Sequence, residues 1–272
     1  MTPSGRTPVY AVLGHPIAHS RSPALHNAWF RACNVDGIYV ALPLPGDRSD
    51  ALATLLRSGV LAGANLTVPL KTDAVPLMDR LTPEAVAAGA VNTVRVEADG
   101  LTGHNTDGRG FVQALTSQLG PMPPRPAAVL GTGGAGRAVA AGLAQHGLTD
   151  IHLFNRTLAR AEETARHLRT HFPHCRFHSH PLTAEAFAPV SSQLGVVAQC
   201  TSGPGRSAVA AVPIDHLPDD CQWCDLNYWD ASPPHGAALR SRFIDGHGML
   251  VHQAALAFAF WTGVTPEVDL GG

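Results

Sequence analysis

Lys71 is the single lysine in a chain whose other 18 basic residues are all arginine. A guanidinium stays protonated in proteins, so any reaction that needs an amine to give up and regain a proton has one candidate here. Polar residues cluster near it in sequence. In Asn65-Leu-Thr67-Val-Pro69-Leu-Lys71 polar and apolar residues alternate, which aims Asn65 and Thr67, with Lys71 beyond them, from one side of a strand end. Ser20-Arg-Ser22-Pro23 sets two hydroxyls just before a helix, Asn92-Thr93 follows Gly89-Ala-Val91, and Asn105-Thr106-Asp107-Gly108 precedes another helix. Taken singly, each has a plain structural explanation: Ser22 and Asp107 suit helix N-caps, and Asn65 and Asn92 suit turns.

A second chemistry is written in the middle of the chain. Gly131, Thr132, Gly133, Gly134, Ala135 and Gly136 satisfy G-x-G-x-x-G. With 27 glycines present such a match is cheap, so its context carries the weight. It directly follows an apolar strand pattern, opens an alanine-rich helix, and sits in a βαβ unit of about 30 residues. Backbone N–H groups at that helix start suit a pyrophosphate. The next strand ends in Asn155-Arg156-Thr157, with Arg160 one turn on, where an NAD site carries an acidic residue for the ribose hydroxyls. Guanidinium groups there favour a 2′-phosphate, hence NADP. Nicotinamide chemistry moves a hydride, and the carbonyl partner then needs a proton donor. The second half of the chain offers no clear one, so the first half must supply both substrate contacts and acid.

The elements that must hold these groups alternate. Strand patterns cover Tyr10–Leu13, Ile38–Leu44 and Ala64–Val68, and helical ones Ser22–Cys33 and Arg48–Arg57. Val91–Val96 and Leu101–Gly103, joined by Ala98-Asp99-Gly100, read as a hairpin. Gly120-Pro-Met-Pro-Pro-Arg-Pro126 is a connector. After it come a strand at Ala127–Leu130, a helix at Gly136–His146, a strand at Ile151–Phe154 and a helix at Leu158–Arg169. Later strands fall at Gly195–Cys200 and Trp223–Leu226, and a last helix at Gly248–Trp261. Strands alternating with helices predict an α/β fold with parallel strands covered on both faces.

At 272 residues the chain has room for two domains of roughly 100–150 residues each. Hydrophobic residues make up 45%, charged ones 15%, and the net charge is -2, which excludes a disordered chain and leaves no basic footprint for nucleic acid. The longest apolar stretch, Ala254–Trp261, is far short of the roughly 20 residues of a membrane span. The first residues lack a signal-peptide pattern, and five scattered cysteines do not form a disulfide framework, so a cytoplasmic enzyme is expected.

Taken in order, GHPIAHSRSPALHN, GANLTVPLK, AGAVNT, GHNTDG, GTGGAGRA, FNRT and DGHGMLVHQA resemble the shikimate dehydrogenase family over almost the whole chain. The resemblance implies two α/β domains with the active site in the cleft between them. The substrate domain would be discontinuous, residues 1–107 and 246–272, and a Rossmann-type NADP domain would cover 108–245. It implies reversible NADP-dependent reduction of 3-dehydroshikimate to shikimate, on the route to chorismate and the aromatic amino acids, by a monomer or homodimer whose partner is a small molecule. Ser20 and Ser22 would bind the substrate carboxylate. Asn65, Thr67, Asn92 and Gln253 would hold ring hydroxyls, with Tyr228 close by, and Lys71 and Asp107 match the catalytic pair, which also touches substrate. Gly131 to Ala135 would cradle the pyrophosphate, Asn155, Arg156, Thr157 and Arg160 the adenosine ribose phosphate, and Leu226 and Gly246 would approach the nicotinamide end. Sister readings are a dehydrogenase for quinate or an aminated analogue, and a non-catalytic NADP sensor on the same scaffold.

Three positions depart from the family's usual pattern: Gln199-Cys200-Thr201-Ser202 in place of an Asn-Ala-Thr stretch, His104 where an acidic residue is commoner, and His247 where an apolar one is. His167, His171, His174, His178, His180 and Cys175 crowd one region, but no glutamate stands between His167 and His171. They read as a solvated helix and loop, with no metal. Cys221-Gln-Trp-Cys224 lacks a second pair and runs into a strand, so it reads as structural.

Overall fold

The computed structural model describes residues 2–46, 49–202, 206–210, 212–229 and 243–270. The chain divides into two compact units, Met1–Gly110 with Leu250–Gly272, and Phe111–Met249.

The first unit begins with β1 (Val9–Gly14), α1 (Ser22–Ala32), β2 (Ile38–Pro43), α2 (Ser49–Arg57) and β3 (Gly63–Leu66). The Arg48 expected at the start of α2 lies outside the described residues. Then follow α3 (Leu70–Asp73), a 3₁₀ turn at Val75–Leu77, β4 (Arg80–Leu81), α4 (Pro83–Ala88), β5 (Thr93–Glu97), β6 (Gly100–His104) and the start of α5 (Asp107–Leu119). The sheet order is β2-β1-β3-β5-β6-β4. Strands β2, β1 and β3 run parallel, whereas β3–β5 and β5–β6 pair antiparallel. That reversal brings the C-terminal ends of β1, β3 and β6 and the N-terminal end of β5 to one edge of the sheet. Every polar cluster singled out in the first half of the sequence falls on that edge.

Both faces of this sheet are buried, as an uninterrupted apolar β1 requires. Ala11 and Leu13 join a cluster with Leu52, Leu56, Leu66 and Leu70. Tyr10 and Val12 point the other way, to Trp29, Phe30, Tyr39 and Phe258. The last helix supplies Phe258, and Trp261 Nε1 donates to the Val94 carbonyl at 2.9 Å. A Cβ at Gly63 would stand 2.6 Å from that indole nitrogen, so glycine is what admits it.

The second unit continues α5 and adds β7 (Ala127–Leu130), α6 (Gly134–Gln145), β8 (Asp150–Asn155), α7 (Leu158–His171), β9 (Arg176–Pro181), α8 (Ala184–Ser191), β10 (Val196–Gln199), α9 (Arg206–Ala210), β11 (Gln222–Asp225), β12 (Phe243–Ile244) and the start of α10 (His247–Thr262). All its strand pairs are parallel, in the order β12-β11-β10-β7-β8-β9. This is the doubly wound Rossmann arrangement, whose strand order reverses between β7 and β10. One expectation is corrected: His178 and His180 lie in β9, half-buried against β8, rather than in a solvated loop. No helix among the described residues is long and apolar enough to cross a membrane.

His26 lies on α1 inside the aromatic cluster, stacked on Tyr39 with ring centroids 4.3 Å apart, and neither ring nitrogen has a hydrogen-bond partner. Burial pushes its pKa down to about 3. The unfolded chain binds this proton below the ordinary value near 6.5, so the stabilisation is full above that pH and is lost as pH falls toward 3. We expect His26→Phe to keep the stacking and to remove about 1.4 kcal/mol per pH unit from the slope of unfolding free energy between about pH 5 and 6. Urea unfolding across that range checks it, and an unchanged slope would place the His26 ring in water.

Candidate active site

Lys71 lies on α3, one short turn after β3, and its Nζ donates to Asp107 Oδ2 at 2.5 Å. The side chains are only 14% and 5% exposed. Asp107 opens α5, where the unpaired N–H groups of a helix start favour a carboxylate. Its side chain does not cap the helix, however. Its other oxygen, Oδ1, accepts from Asn92 Nδ2 at 2.8 Å, and its own backbone N–H is taken up by Asn105 Oδ1 at 3.0 Å. The cap reading of Ser22 is also replaced: α1 starts from Arg21 with no side-chain cap, and the Ser22 backbone N–H donates to Ser20 Oγ at 3.3 Å.

Asn92 is the hub. Its Oδ1 accepts from the Thr106 N–H at 2.9 Å and from Thr93 Oγ1 at 2.9 Å, which fixes the amide so that Nδ2 faces Asp107 and Thr106 Oγ1. Gln253 of α10 brings its Oε1 to 3.5 Å from both Asn92 Nδ2 and Thr106 Oγ1. The approach depends on Gly110, where a Cβ would stand 2.6 Å from Gln253 Cβ. Asn65 donates to the Asn92 carbonyl at 3.2 Å and to Thr93 Oγ1 at 3.1 Å, while Tyr39 Oη donates to Asn65 Oδ1 at 2.7 Å. Thr67 follows β3, half-buried, with its backbone N–H on the Leu13 carbonyl.

The sequence thus marked Ser20, Ser22, Asn65, Thr67, Lys71, Asn92, Asp107 and Gln253 from separate segments, and all lie in the first unit. The hydrogen-bond network directly joins Asn65, Lys71, Asn92, Asp107 and Gln253. Tyr39 and Thr93 belong to it and carried no sequence signal of their own, since a tyrosine in an apolar strand and a threonine opening one look like ordinary sheet residues. An ammonium held by a carboxylate, among rigid amide and hydroxyl groups, can grip a polyhydroxylated ring and protonate an oxygen on it.

In the second unit the glycine-rich turn has its expected form. Gly131 has φ +100°, and a Cβ at Gly136 would lie 1.8 Å from the Gly131 carbonyl oxygen, so α6 starts against β7 only with glycine there. A Cβ at Gly133 would meet nothing within 4 Å. Thr132 Oγ1 is buried without a hydrogen-bond partner, and the Thr132 N–H donates to Asn155 Oδ1 at 3.3 Å. An orphaned hydroxyl beside open space at a helix start fits a phosphate-bearing dinucleotide. Gly134 and Ala135 begin the helix. Arg156, Thr157 and Arg160 are exposed, the first turn of α7 holds no acidic residue, and among the described residues neither arginine has a carboxylate partner. Leu226 and Gly246 meet: a Cβ at Gly246 would stand 2.2 Å from the Leu226 carbonyl oxygen. Tyr228 follows in the same unit, half-buried and edge-on to Trp229.

Two of the three departures from the usual family pattern are accommodated locally, whereas the ring of His247 keeps a buried Nδ1 with no hydrogen-bond partner. Gln199 Oε1 accepts from the Thr201 N–H at 2.7 Å and from Thr201 Oγ1 at 2.8 Å, holding the turn after β10. His104 stacks on Phe260 at 4.7 Å, and burial lowers its pKa. Cys221 and Cys224 are buried thiols outside any disulfide, and burial raises the Cys224 pKa, away from a reactive thiolate.

A Rossmann sheet with an unencumbered phosphate turn, in one chain with an α/β unit carrying an ammonium–carboxylate pair, defines the nicotinamide-dependent dehydrogenases of small molecules. Residues 12–94 match the family model described as "Shikimate dehydrogenase substrate binding domain", and residues 246–270 the one described as "Shikimate 5'-dehydrogenase C-terminal domain". A relative from Geobacter metallireducens named shikimate dehydrogenase (NADP(+)) is 39% identical over 97% of this chain and 94% of its own length. The shikimate dehydrogenase of Thermus thermophilus, solved with NADP(H) and shikimate, superposes with a TM-score of 0.76 at 34% identity, covering 96% of this chain and 95% of that one. Another solved shikimate dehydrogenase, in complex with NADP+, gives 0.85 at 28% identity, over 99% of this chain and 94% of that one. The chain belongs to the shikimate dehydrogenase family.

Gly110→Ala tests the packing that seats Gln253. The added methyl lies 2.6–2.8 Å from three Gln253 atoms, an overpacking expected to cost about 1–3 kcal/mol. Thermal unfolding followed by circular dichroism should show a loss of at least about 2 °C. A variant as stable as the parent would mean that α5 and α10 do not cross at this glycine.

Proposed function

We propose that this protein catalyses the reversible, NADP-dependent reduction of 3-dehydroshikimate to shikimate, a step toward the aromatic amino acids. The observation that carries the reading is the buried Lys71–Asp107 pair tied through Asn92 to Gln253. The dinucleotide, when bound, supplies the hydride that reaches the carbonyl carbon.

Lys71 places its ammonium beside the carbonyl oxygen, stabilises the negative charge that develops there and delivers a proton from Nζ. Asp107 holds that ammonium in place and takes part in orienting the substrate hydroxyl. In the oxidative direction the neutral amine accepts the proton from the hydroxyl. Ser20 and Ser22 offer hydroxyls to the substrate carboxylate. Asn92, Gln253 and Thr67 select ring hydroxyls, joined by Tyr228, and Asn65 acts partly by holding Asn92. Gly131 to Ala135, with the unpartnered Thr132 hydroxyl, receive the pyrophosphate. Asn155, Arg156, Thr157 and Arg160 receive the adenosine ribose and its 2′-phosphate, and Leu226 and Gly246 border the nicotinamide. The first unit is read as the substrate domain and the second as the NADP domain.

The quinate reading is not favoured, since relatives 39% and 36% identical over nearly the whole chain carry the shikimate name. The sensor reading leaves the Lys71–Asp107 pair without a use. Five cysteines outside any disulfide suit a reducing compartment, so we place the enzyme in the cytoplasm, as a monomer or homodimer acting on a small molecule.

Nicotinamide absorbance over time, with NADP or NAD crossed against shikimate or quinate, tests the activity. Fast turnover with NADP and shikimate alone is expected; quinate or NAD winning would move the enzyme to a sister specificity, and NADP binding without turnover would sink the reading. Lys71→Ala should lower kcat by about 10²–10⁴-fold while NADP binding stays. Lys71→Arg should fail to restore it, because arginine keeps the charge but cannot release the proton; full rescue would reduce Lys71 to an electrostatic role. Reversing Arg156 and Arg160 to glutamate should raise the KM for NADP at least tenfold and that for NAD far less.

A further inference from the structure

Strands β8 and β9 pair in register, with Asp150 opposite Arg176, His152 opposite His178 and Phe154 opposite His180. Alternate residues of a strand share a face, so Asp150, His152, His178 and His180 stand together on one side of the sheet. The imidazoles of His152 and His178 lie nearly parallel, 4.7 Å apart. Asp150 Oδ1 is 3.0 Å from His178 Nε2 and 3.6 Å from His152 Nε2. One donor atom from each of the three residues lies within 4.8 Å of the others.

These contacts do not amount to satisfied hydrogen bonds. Asp150 Oδ1 is buried with no hydrogen-bond partner, although an imidazole nitrogen lies 3.0 Å away. The other oxygen, Oδ2, is held by Arg176 at 2.6 and 3.1 Å, which orients the carboxylate and leaves Oδ1 facing the two rings. The opposite nitrogen of His152, Nδ1, lies 2.9 Å from His180 Nε2, a hydrogen bond of the kind that fixes the tautomer of a ligating imidazole. Burial, with His178 and His180 nearby, holds the His152 pKa down at about 4, so that ring is neutral at pH 7. His178 is 41% exposed at the sheet edge, which leaves a path for an ion and room for water ligands.

We propose that Asp150, His152 and His178 form a site for a divalent transition-metal ion, with His180 supporting His152. Two imidazoles and one carboxylate suit zinc, cobalt, nickel or copper rather than magnesium or calcium, which take oxygen ligands. Tetrahedral zinc bonds of 2.0–2.2 Å put neighbouring ligand atoms roughly 3.4 Å apart, between the two carboxylate–imidazole separations seen here. The site lies where β8 and β9 begin. Asn155 closes β8 five residues on, roughly 16 Å at strand rise, so the ion sits away from the dinucleotide turn. An ion held here ties edge strand β9 to its neighbour and stabilises the unit without entering the reaction.

The test is titration of the full-length, tag-free protein with zinc chloride by calorimetry, and with cobalt chloride by visible absorption. One tight zinc equivalent is expected, unaffected by excess magnesium, with cobalt giving d–d bands and zinc raising the thermal midpoint. His178→Ala and Asp150→Asn should each weaken binding at least tenfold, and His180→Ala about tenfold. Each should retain its circular dichroism spectrum and its activity without zinc, while His171→Ala on α7 should bind as the parent does. Zinc bound equally well by His178→Ala and Asp150→Asn, binding lost in His171→Ala, or no tight equivalent in the parent would each overturn the proposal.

Discussion

The ion pair between Lys71 and Asp107 constrains everything around it. Removing two charges from water costs several kcal/mol per ion, and their attraction offsets this only where other hydrogen bonds satisfy the remaining atoms. Here they do. Lys71 takes one carboxylate oxygen and Asn92 the other, and Asn92 is itself fixed by Thr93 and Thr106. The sheet makes this possible through its one reversed strand, β5. With β5 antiparallel to β3, Asn92 just before β5 lies beside the end of β3 and the turn to Lys71. An all-parallel sheet would have carried Asn92 to the opposite edge.

The second unit solves a different problem with glycine. A dinucleotide phosphate is an anion that needs backbone N–H groups brought close, and side chains stand in the way. Gly136 lets α6 begin against the Gly131 carbonyl, and Gly131 takes a φ of +100° that few other residues adopt. The neighbouring turn after β10 presses in as well, because Thr201 Cγ2 would be 2.8 Å from a Cβ at Gly131. The unusual Gln199 therefore matters less by its identity than by its bonds to Thr201, which keep that turn where Gly131 requires it.

Much of this could be read from the chain because its signals were either periodic or chemically rare. Ala127–Leu130 is an unbroken apolar run and folds as a strand over the same residues. The hairpin around Asp99 and the glycine turn were legible for the same reason: each needs particular residues at fixed spacing. What escaped notice had no such pattern. β4 is two residues long and owes its place to β6. In β9, Arg176-Phe-His-Ser-His-Pro181 holds one large apolar residue, and its strand character comes from pairing with β8. The role of Tyr39 was equally hidden, since its hydroxyl finds Asn65 only through the pairing of β1 with β2 and β3.

Arginine and lysine are not interchangeable in the ion pairs of this chain. Where permanent charge is enough, the chain uses arginine: Arg57 grips both oxygens of Asp79 at 3.0 Å, and Arg80 spans Asp99 and Glu97. These pairs are partly exposed, and the planar fork suits a carboxylate held from the side. Lys71 is buried and meets Asp107 through a single nitrogen, in the position proposed for the proton donor. A guanidinium there would keep the charge but could not give up a proton. A chain with so strong a preference for arginine carries its single lysine in this buried pair, where a side-chain cation able to release a proton meets a carboxylate held from both sides.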